Sequence, residues 1–269
     1  MIPPVPDLFE FHVGTTPLLI NVPHDGRRLV ADMRDRMTPA GLDLPDTDWD
    51  VAKLYAFARE LGASILVANY SRYVVDLNRP ADDADLYPGR LSTGLCPAKS
   101  FTGHDLYIGG AQVDVDEIML RRERFWQPYH DRLEVVLSSL RDSFGYALLW
   151  DAHSIPSMVP RLFEGVLPVL NIGSFDEQSA DSRITSRVAS VAEQSGYELS
   201  VNGRFKGGYI TRHYGRPDDR VHALQLEIAQ RAYMDEDRRQ YDDDKAATLI
   251  ATVRPMLETF LSAADELYA

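Results

Sequence analysis

The chain contains a single cysteine, Cys96, so no disulfide can form within it. That fits a reducing compartment. Basic residues are also scarce: 28 Lys and Arg stand against 41 Asp and Glu, a formal net charge of −13. The resulting pI is near 4.9. This balance argues against a nucleic-acid partner, because phosphates need a basic surface. It argues equally against docking on anionic lipid. It does not point to a cationic substrate, since charge of this kind commonly serves solubility. Long hydrophobic runs are missing too. Those present, such as Ala147–Trp150, fall far short of the ~20 residues that span a bilayer. The opening Met1-Ile2-Pro3-Pro4-Val5-Pro6 lacks the basic region and apolar run of a signal peptide. Repeats and low-complexity linkers are absent. With 269 residues, 45% of them hydrophobic, the expectation is one cytoplasmic domain over residues 1–269, with no membrane or nucleic-acid partner. Nothing in the sequence sets the oligomeric state.

Short β-rich runs alternate with helical patterns. Strands are expected at Leu18–Val22, Ser64–Asn69, Tyr73–Leu77, Ala147–Trp150, Leu167–Ile172, Glu198–Val201 and Ala223–Ile228. Most are nearly continuous apolar runs, as strands buried on both faces read. Helices are expected at Trp49–Glu60, Asp116–Asp142, Asp181–Gln194 and Asp244–Leu267, the first capped by Asp46 or Thr47 and ended by Gly62. In the second, Ile118, Leu120, Phe125, Tyr129, Leu133, Val136, Leu137 and Leu140 make a helical stripe. The alternation predicts an α/β sandwich around a mostly parallel sheet. Two stretches, Pro80–Gln112 and Asn202–Arg220, are long loops of the kind that carry function.

Polar residues gather where strands end. Leu18–Val22 is followed by Pro23-His24-Asp25-Gly26, and Tyr73–Leu77 by Asn78-Arg79-Pro80. Ala147–Trp150 is followed by Asp151-Ala152-His153-Ser154, and Glu227 lies within Ala223–Ile228. Ligands of open α/β sheets bind outside the carboxyl ends of the strands, so parallel strands would bring these groups to one edge. His24 reads either as a metal ligand or as a turn-capping histidine. His153 reads as a ligand oriented by Asp151, which shares its face of a strand, or as a satisfied half-buried histidine. Asp48 is either a ligand or an acid of a first helical turn. Arg79 and Arg212 are carboxylate clamps or partners of neighbouring acids. Glu227 is a catalytic group in a buried strand or a strand-end surface charge. Cys96 has no histidine at a convincing interval, which weakens a cysteine-hydrolase reading. His130 reads as structural.

In order, these words resemble the N-formylglutamate amidohydrolase (N-formylglutamate deformylase) family. The matching words are Leu19-Ile20-Asn21-Val22-Pro23-His24-Asp25-Gly26, Thr47-Asp48-Trp49, Val75-Asp76-Leu77-Asn78-Arg79-Pro80 and Asp151-Ala152-His153-Ser154. They continue with the glycine-rich segment from Asn202 to Gly215 and with His222-Ala223-Leu224-Gln225-Leu226-Glu227-Ile228. The resemblance implies a three-layer αβα sandwich with a mixed, mostly parallel sheet, similar to zinc carboxypeptidases. It implies zinc-dependent hydrolysis of N-formyl-L-glutamate to L-glutamate and formate, a last step of one histidine-degradation route. His24, Asp48 and His153 would hold one zinc ion, Glu227 would be the general base, and Asn78 with Arg79 would bind the α-carboxylate. The substrate is a small dianion, so a second cation is expected; Arg212 is the candidate, with Lys206 as a third possibility. Three readings compete: a zinc amidase for another N-acyl amino acid, a non-catalytic binding protein for acidic amino acids, and a metal phosphohydrolase, which has too few extra ligands here.

Overall fold

The computed structural model describes residues 7–86 and 92–269. The expectation for Met1–Pro6 lies outside them, as does part of the Pro80–Gln112 loop. Seven strands form one sheet: β1 (Phe9–His12), β2 (Leu18–Val22), β3 (Ser64–Ala68), β4 (Ala147–Ile155), β5 (Leu170–Gly173), β6 (Leu199–Val201) and β7 (Val221–Ala229). Their order is β1-β3-β2-β4-β7-β5-β6. The central β3, β2, β4 and β7 are mutually parallel. β1 runs antiparallel to β3 and β5 antiparallel to β7, while β6 is parallel to β5. The sheet is therefore mixed and mostly parallel, as expected.

Each face of the sheet carries its own core. Leu18, Ile20 and Val22 of β2, Leu148 and Trp150 of β4, and Leu224 and Leu226 of β7 pack with helices Ser182–Glu193 and Asp243–Tyr268. The alternate residues, Leu19, Ala147, Leu149, Val221 and Ala223, pack with the long helical segment 115–144 and the short helix Tyr209–Tyr214. Helices thus cover both faces of the sheet. On the second face the pattern changes along each strand. Leu19 gives way to Asn21, Leu149 to Asp151 and His153, and Ala223 to Gln225 and Glu227. All five of these polar side chains are buried. The period of two carries the chain from apolar core to polar floor without leaving the sheet.

Several expectations need correction. Tyr73–Leu77 is not a strand. It is a buried succession of turns whose groups are met individually: Val74 N–H donates to Ser71 O, Asp76 N–H to Leu95 O, and the Arg121 guanidinium donates to the Tyr73 and Val74 carbonyls. An apolar run reports burial, and among the described residues no strand pairs with this one. The helix expected at Trp49–Glu60 splits into Val51–Leu54 and a 3₁₀ segment, Ala56–Leu61, which Gly62 ends with φ +69°. Its N-terminal amides are met from afar: Asp25 Oδ1 accepts from Asp50 N and Oδ2 from Ala52 N. Neither expected cap acts there. Asp46 accepts from Phe101 N, and the Thr47 hydroxyl donates to Leu44 O. In segment 115–144 a π-helical turn, Arg122–Trp126, interrupts the α-helix. The extra residue offsets the stripe, and Leu120 is left exposed. β1 and the helix Tyr209–Tyr214 were not expected. β1 is an edge strand with few apolar residues, and the helix lies in a segment whose glycines read as loop.

Candidate active site

The carboxyl ends of β2, β4 and β7 open into one cleft, lined by His24, Arg72, Asp76, Asn78, Arg79, Thr93, His153, Arg204 and Glu227 among others. His24 directly follows β2. The turn after it is tight, because a Cβ on Gly26 would stand 2.4 Å from Tyr70 O. The His24 carbonyl accepts from Asp48 N at 3.1 Å, which brings Asp48 beside it. Asp50, in the left-handed region at φ +58°, follows in the same turn, held by Asp25.

His24, Asp48 and His153 are buried, and one ligand-type atom from each lies within 4.8 Å of the others. Asp48 Oδ2 stands 3.0 Å from His153 Nδ1 and 3.7 Å from His24 Nδ1. Behind each imidazole lies a further carboxylate: Asp76 Oδ1 is 2.8 Å from His24 Nε2, and Asp151 Oδ1 is 3.2 Å from His153 Nε2. Asp151 is held in turn by Asn21 Nδ2 at 2.8 Å and Thr211 Oγ1 at 3.1 Å, and Tyr129 O–H donates to Asn21 Oδ1 at 2.7 Å. Asp48 accepts from Arg72 through Oδ1 and from Ser154 N through Oδ2. Burial disfavours the charged forms of both Asp48 and His153, yet the ion pairs prevail. Arg72, His153 and His24 hold the Asp48 carboxyl well below the usual range, and Asp151 and Asp48 raise His153 well above its own.

Glu227 sits opposite His153 in the β4–β7 register, and Gln225 opposite Asp151. Gln225 Nε2 donates to Glu227 Oε2 at 3.3 Å. Burial pushes the Glu227 carboxyl up to about 8, with Asp48 and Asp151 adding to that and His153 and Arg72 opposing it.

The residues expected to meet a substrate are placed differently from one another. Asn78 and Arg79 both line the cleft. Asn78 Oδ1 accepts from Ile210 N at 2.8 Å, and its Nδ2 lies 3.0 Å from His153 Nε2. Gly208 makes this possible, because a Cβ there would stand 2.3 Å from Asn78 Nδ2. Arg212 is placed elsewhere. Its guanidinium donates to Gly207 O and Leu86 O and lies over the Phe175 ring, which braces the glycine-rich segment. Lys206 Nζ pairs with Asp176 at 2.9 Å. Neither is among the described residues that line the cleft. Cys96 is partly buried, and burial raises its thiol to about 12, so it is a poor nucleophile. His130 is structural, with Nε2 2.9 Å from Leu77 O.

Sequence reasoning missed Arg72, Thr93 and Arg204 altogether, and gave no role to Asp76 or Gln225. For Gln225 a signal existed, since Gln225/Glu227 repeats the i, i+2 polar pair Asp151/His153 at the end of a buried strand. For the others none did, because their partners are distant in the chain. Four buried polar atoms without a hydrogen-bond partner line this one cleft: His24 Nδ1, Arg72 Nε, Arg79 Nε and Thr93 Oγ1. Unmet polar atoms gathered in one place mark a ligand site, because each costs free energy until something pairs with it.

Among the described residues no helix is long and apolar enough to cross a membrane. A family model for N-formylglutamate amidohydrolase matches residues 16–234. The chain is 47% identical to an N-formylglutamate deformylase of Pseudomonas putida over 263 residues, 97% of this chain and 98% of the relative. It is also 47% identical to an N-formylglutamate deformylase of Pseudomonas aeruginosa over 265 residues, 98% of this chain and 99% of the relative. The crystal structure of an N-formylglutamate amidohydrolase from Ralstonia eutropha JMP134 shares the fold, with a TM-score of 0.80 and 24% identity, covering 96% of this chain and 97% of that one.

Proposed function

The chain belongs to the N-formylglutamate amidohydrolase family, and from that premise we propose that it hydrolyses N-formyl-L-glutamate to L-glutamate and formate with one zinc ion held by His24, Asp48 and His153. We place this reaction in the cytoplasm, at the end of a histidine-degradation route. The observation that carries the reading is the pairing of a His–Asp–His cluster with a buried glutamate on the neighbouring strand.

The donor set suits zinc. Two imidazoles and one carboxylate leave a fourth position open, and the buried His24 Nδ1, 3.7 Å from Asp48 Oδ2, makes no hydrogen bond among the described residues. The carboxylates behind both rings fix their orientation and raise their basicity, an arrangement common around metal-bound histidines. When bound, the ion supplies Lewis acidity: it polarises a carbonyl oxygen and acidifies a water molecule.

The rest of the chemistry belongs to side chains of this protein. Glu227, with its affinity for protons raised by burial, takes the proton from the attacking water and returns it to the departing amine. Gln225 holds the carboxylate in place through Oε2. Arg79 binds the α-carboxylate, since its Nε is buried in the cleft without a partner. Asn78 lines the cleft beside Arg79 and assists there with its side-chain amide. Binding a dianion to a protein of charge −13 must be local, carried by these few cations rather than by the overall field.

Metal analysis of the purified protein, together with formate release from N-formyl-L-glutamate, tests the reading. One zinc per chain with formate release is expected. A metal-replete protein that releases no formate from this substrate, but cleaves N-formyl-aspartate or N-acetylglutamate, refutes the substrate assignment.

A further inference from the structure

Asp48 has two carboxylate oxygens, and their surroundings differ. Oδ2 faces the two imidazoles, 3.0 Å from His153 Nδ1 and 3.7 Å from His24 Nδ1, and accepts from Ser154 N at 3.1 Å. Oδ1 accepts from Arg72 Nη2. The same guanidinium reaches towards the carboxylate behind His24, with Nη1 3.9 Å from Asp76 Oδ2. Arg72 therefore touches one carboxylate of the His–Asp–His cluster and stands beside the carboxylate that orients one of its histidines. It is buried and held from several sides. Its backbone lies in the turn closed by Val74 N on Ser71 O at 2.8 Å. Its guanidinium carbon lies 5.0 Å from the centroid of the Phe101 ring, and Phe101 N donates to Asp46 Oδ2 at 2.9 Å. A guanidinium keeps its charge and its donors at every working pH, so Oδ1 stays occupied.

The number of oxygens that Asp48 presents decides which ion the cluster prefers. A carboxylate with both oxygens free can chelate, and the added oxygen favours ions of higher coordination number, such as manganese(II). Two imidazole nitrogens and a single carboxylate oxygen make the three-ligand set that zinc uses when one position is left for water or substrate. We propose that Arg72 sets the metal preference of this site: by holding Oδ1 it confines Asp48 to one ligand oxygen and keeps the cluster selective for zinc. This role rests on the metal site proposed above and adds what selects the ion. Arg72 is a positioning residue in it, acting through Asp48.

The test loads wild type, R72M and R72K with zinc, manganese(II) and cobalt(II) in turn. In R72M the ratio of zinc affinity to manganese affinity, read by competition with a chelator, is expected to fall by about tenfold or more. The visible absorption of the cobalt form should weaken at the same time, as it does when a four-coordinate ion gains ligands. R72K returns a donor to Oδ1 and should recover both. A wild-type ratio and a wild-type cobalt spectrum in R72M overturn the proposal and leave Arg72 only balancing buried charge. Should R72M not fold, a crystal structure of the zinc-loaded wild type decides. Oδ2 alone at ~2.0–2.2 Å from the ion upholds the role of Arg72, and both oxygens at that distance reject it. A wild type that binds none of these ions at one per chain overturns the His24, Asp48 and His153 site and the role of Arg72 with it. A wild type that binds zinc but releases no formate overturns the reaction assignment alone, because none of these readouts uses a substrate.

Discussion

His153 and Glu227 face each other across the β4–β7 register, two residue pairs beyond Asp151 and Gln225. The proposed metal ligand and the proposed base therefore stand on adjacent strands of one parallel ladder, and the spacing between them is set by the backbone.

The first prediction concerns that pair. Glu227→Gln keeps the shape of the side chain and its contact with Gln225, and removes the base. Turnover should fall by about 10²- to 10⁴-fold with zinc content unchanged. Formate release and metal analysis on one preparation check both halves. Full activity in this variant removes Glu227 from the mechanism.

Asp76 gives the second. Its carboxylate lies behind His24 Nε2 and also accepts from Asn78 N at 2.9 Å. Asp76→Asn should weaken zinc binding by about 10- to 100-fold, read by competition with a chelator. By contrast, His24→Ala or His153→Ala should leave no stoichiometric metal. Zinc retained at full occupancy in either alanine variant contradicts the ligand assignment.

The third tests how the glycine-rich segment meets the site. Gly208→Ala places a methyl 2.3 Å from the Asn78 amide, which also holds Ile210 N and touches His153. Overpacking of this kind should cost about 1–3 kcal/mol in denaturant unfolding. Activity should fall further than stability alone explains, since the displaced amide lies against His153. An unchanged unfolding midpoint would mean that the segment moves aside freely.

The fourth concerns pH. Burial lowers His130 to about 3 and His222 to about 4, against 6.5 for an exposed histidine. Both are held neutral, His130 against the Leu77 carbonyl and His222 by an Asp181 N–H on Nδ1. The unfolded chain takes up these protons first. The stability that depends on neutral rings is therefore complete above pH 6.5 and is lost as pH falls from 6.5 towards 3–4. Each proton contributes about 1.4 kcal/mol per pH unit within that window. Glu227 and His153, both shifted upward, contribute a gain in stability over the same fall in pH and oppose this loss. The measurement is therefore the difference between proteins: going from pH 7.5 to 5, the urea midpoint of wild type should shift further towards instability than that of the double variant His130→Gln, His222→Gln.

Much of this was legible in the sequence. β2 begins and ends where its apolar run does, and β4 and β7 contain their expected runs and extend beyond them. The extensions are informative. Asp151, His153 and Glu227 are strand residues, so the polar groups sit on the sheet and not in the loops that follow it. Asn78 and Arg79 reach the cleft although the strand thought to deliver them does not exist. Their segment is apolar because it is buried, and burial alone does not specify pairing. Asp76 behind His24, Arg72 on Asp48 and Asp25 on Asp50 join residues 24–52 positions apart. No local spacing announces such contacts, because they depend on how the turns close. Arg212 and Arg204 stand eight positions apart in one glycine-rich segment. Which of them faces the cleft depends on the path of the chain, with Gly207 at φ +110° between them.

β4 and β7 each run nine residues, whereas β2 ends at Val22. The far halves of these two strands carry the reactive groups, while Arg79, Thr93 and Arg204 come from irregular chain around them. The two parts of the site are therefore exposed to different evolutionary risk. A change in the ladder threatens the fold and the reaction together. A change in the surrounding chain can retune which acyl amino acid is accepted and leave the reactive floor standing. New preferences in relatives of this protein should accordingly be sought at positions 79, 93 and 204 before positions 151, 153 and 227.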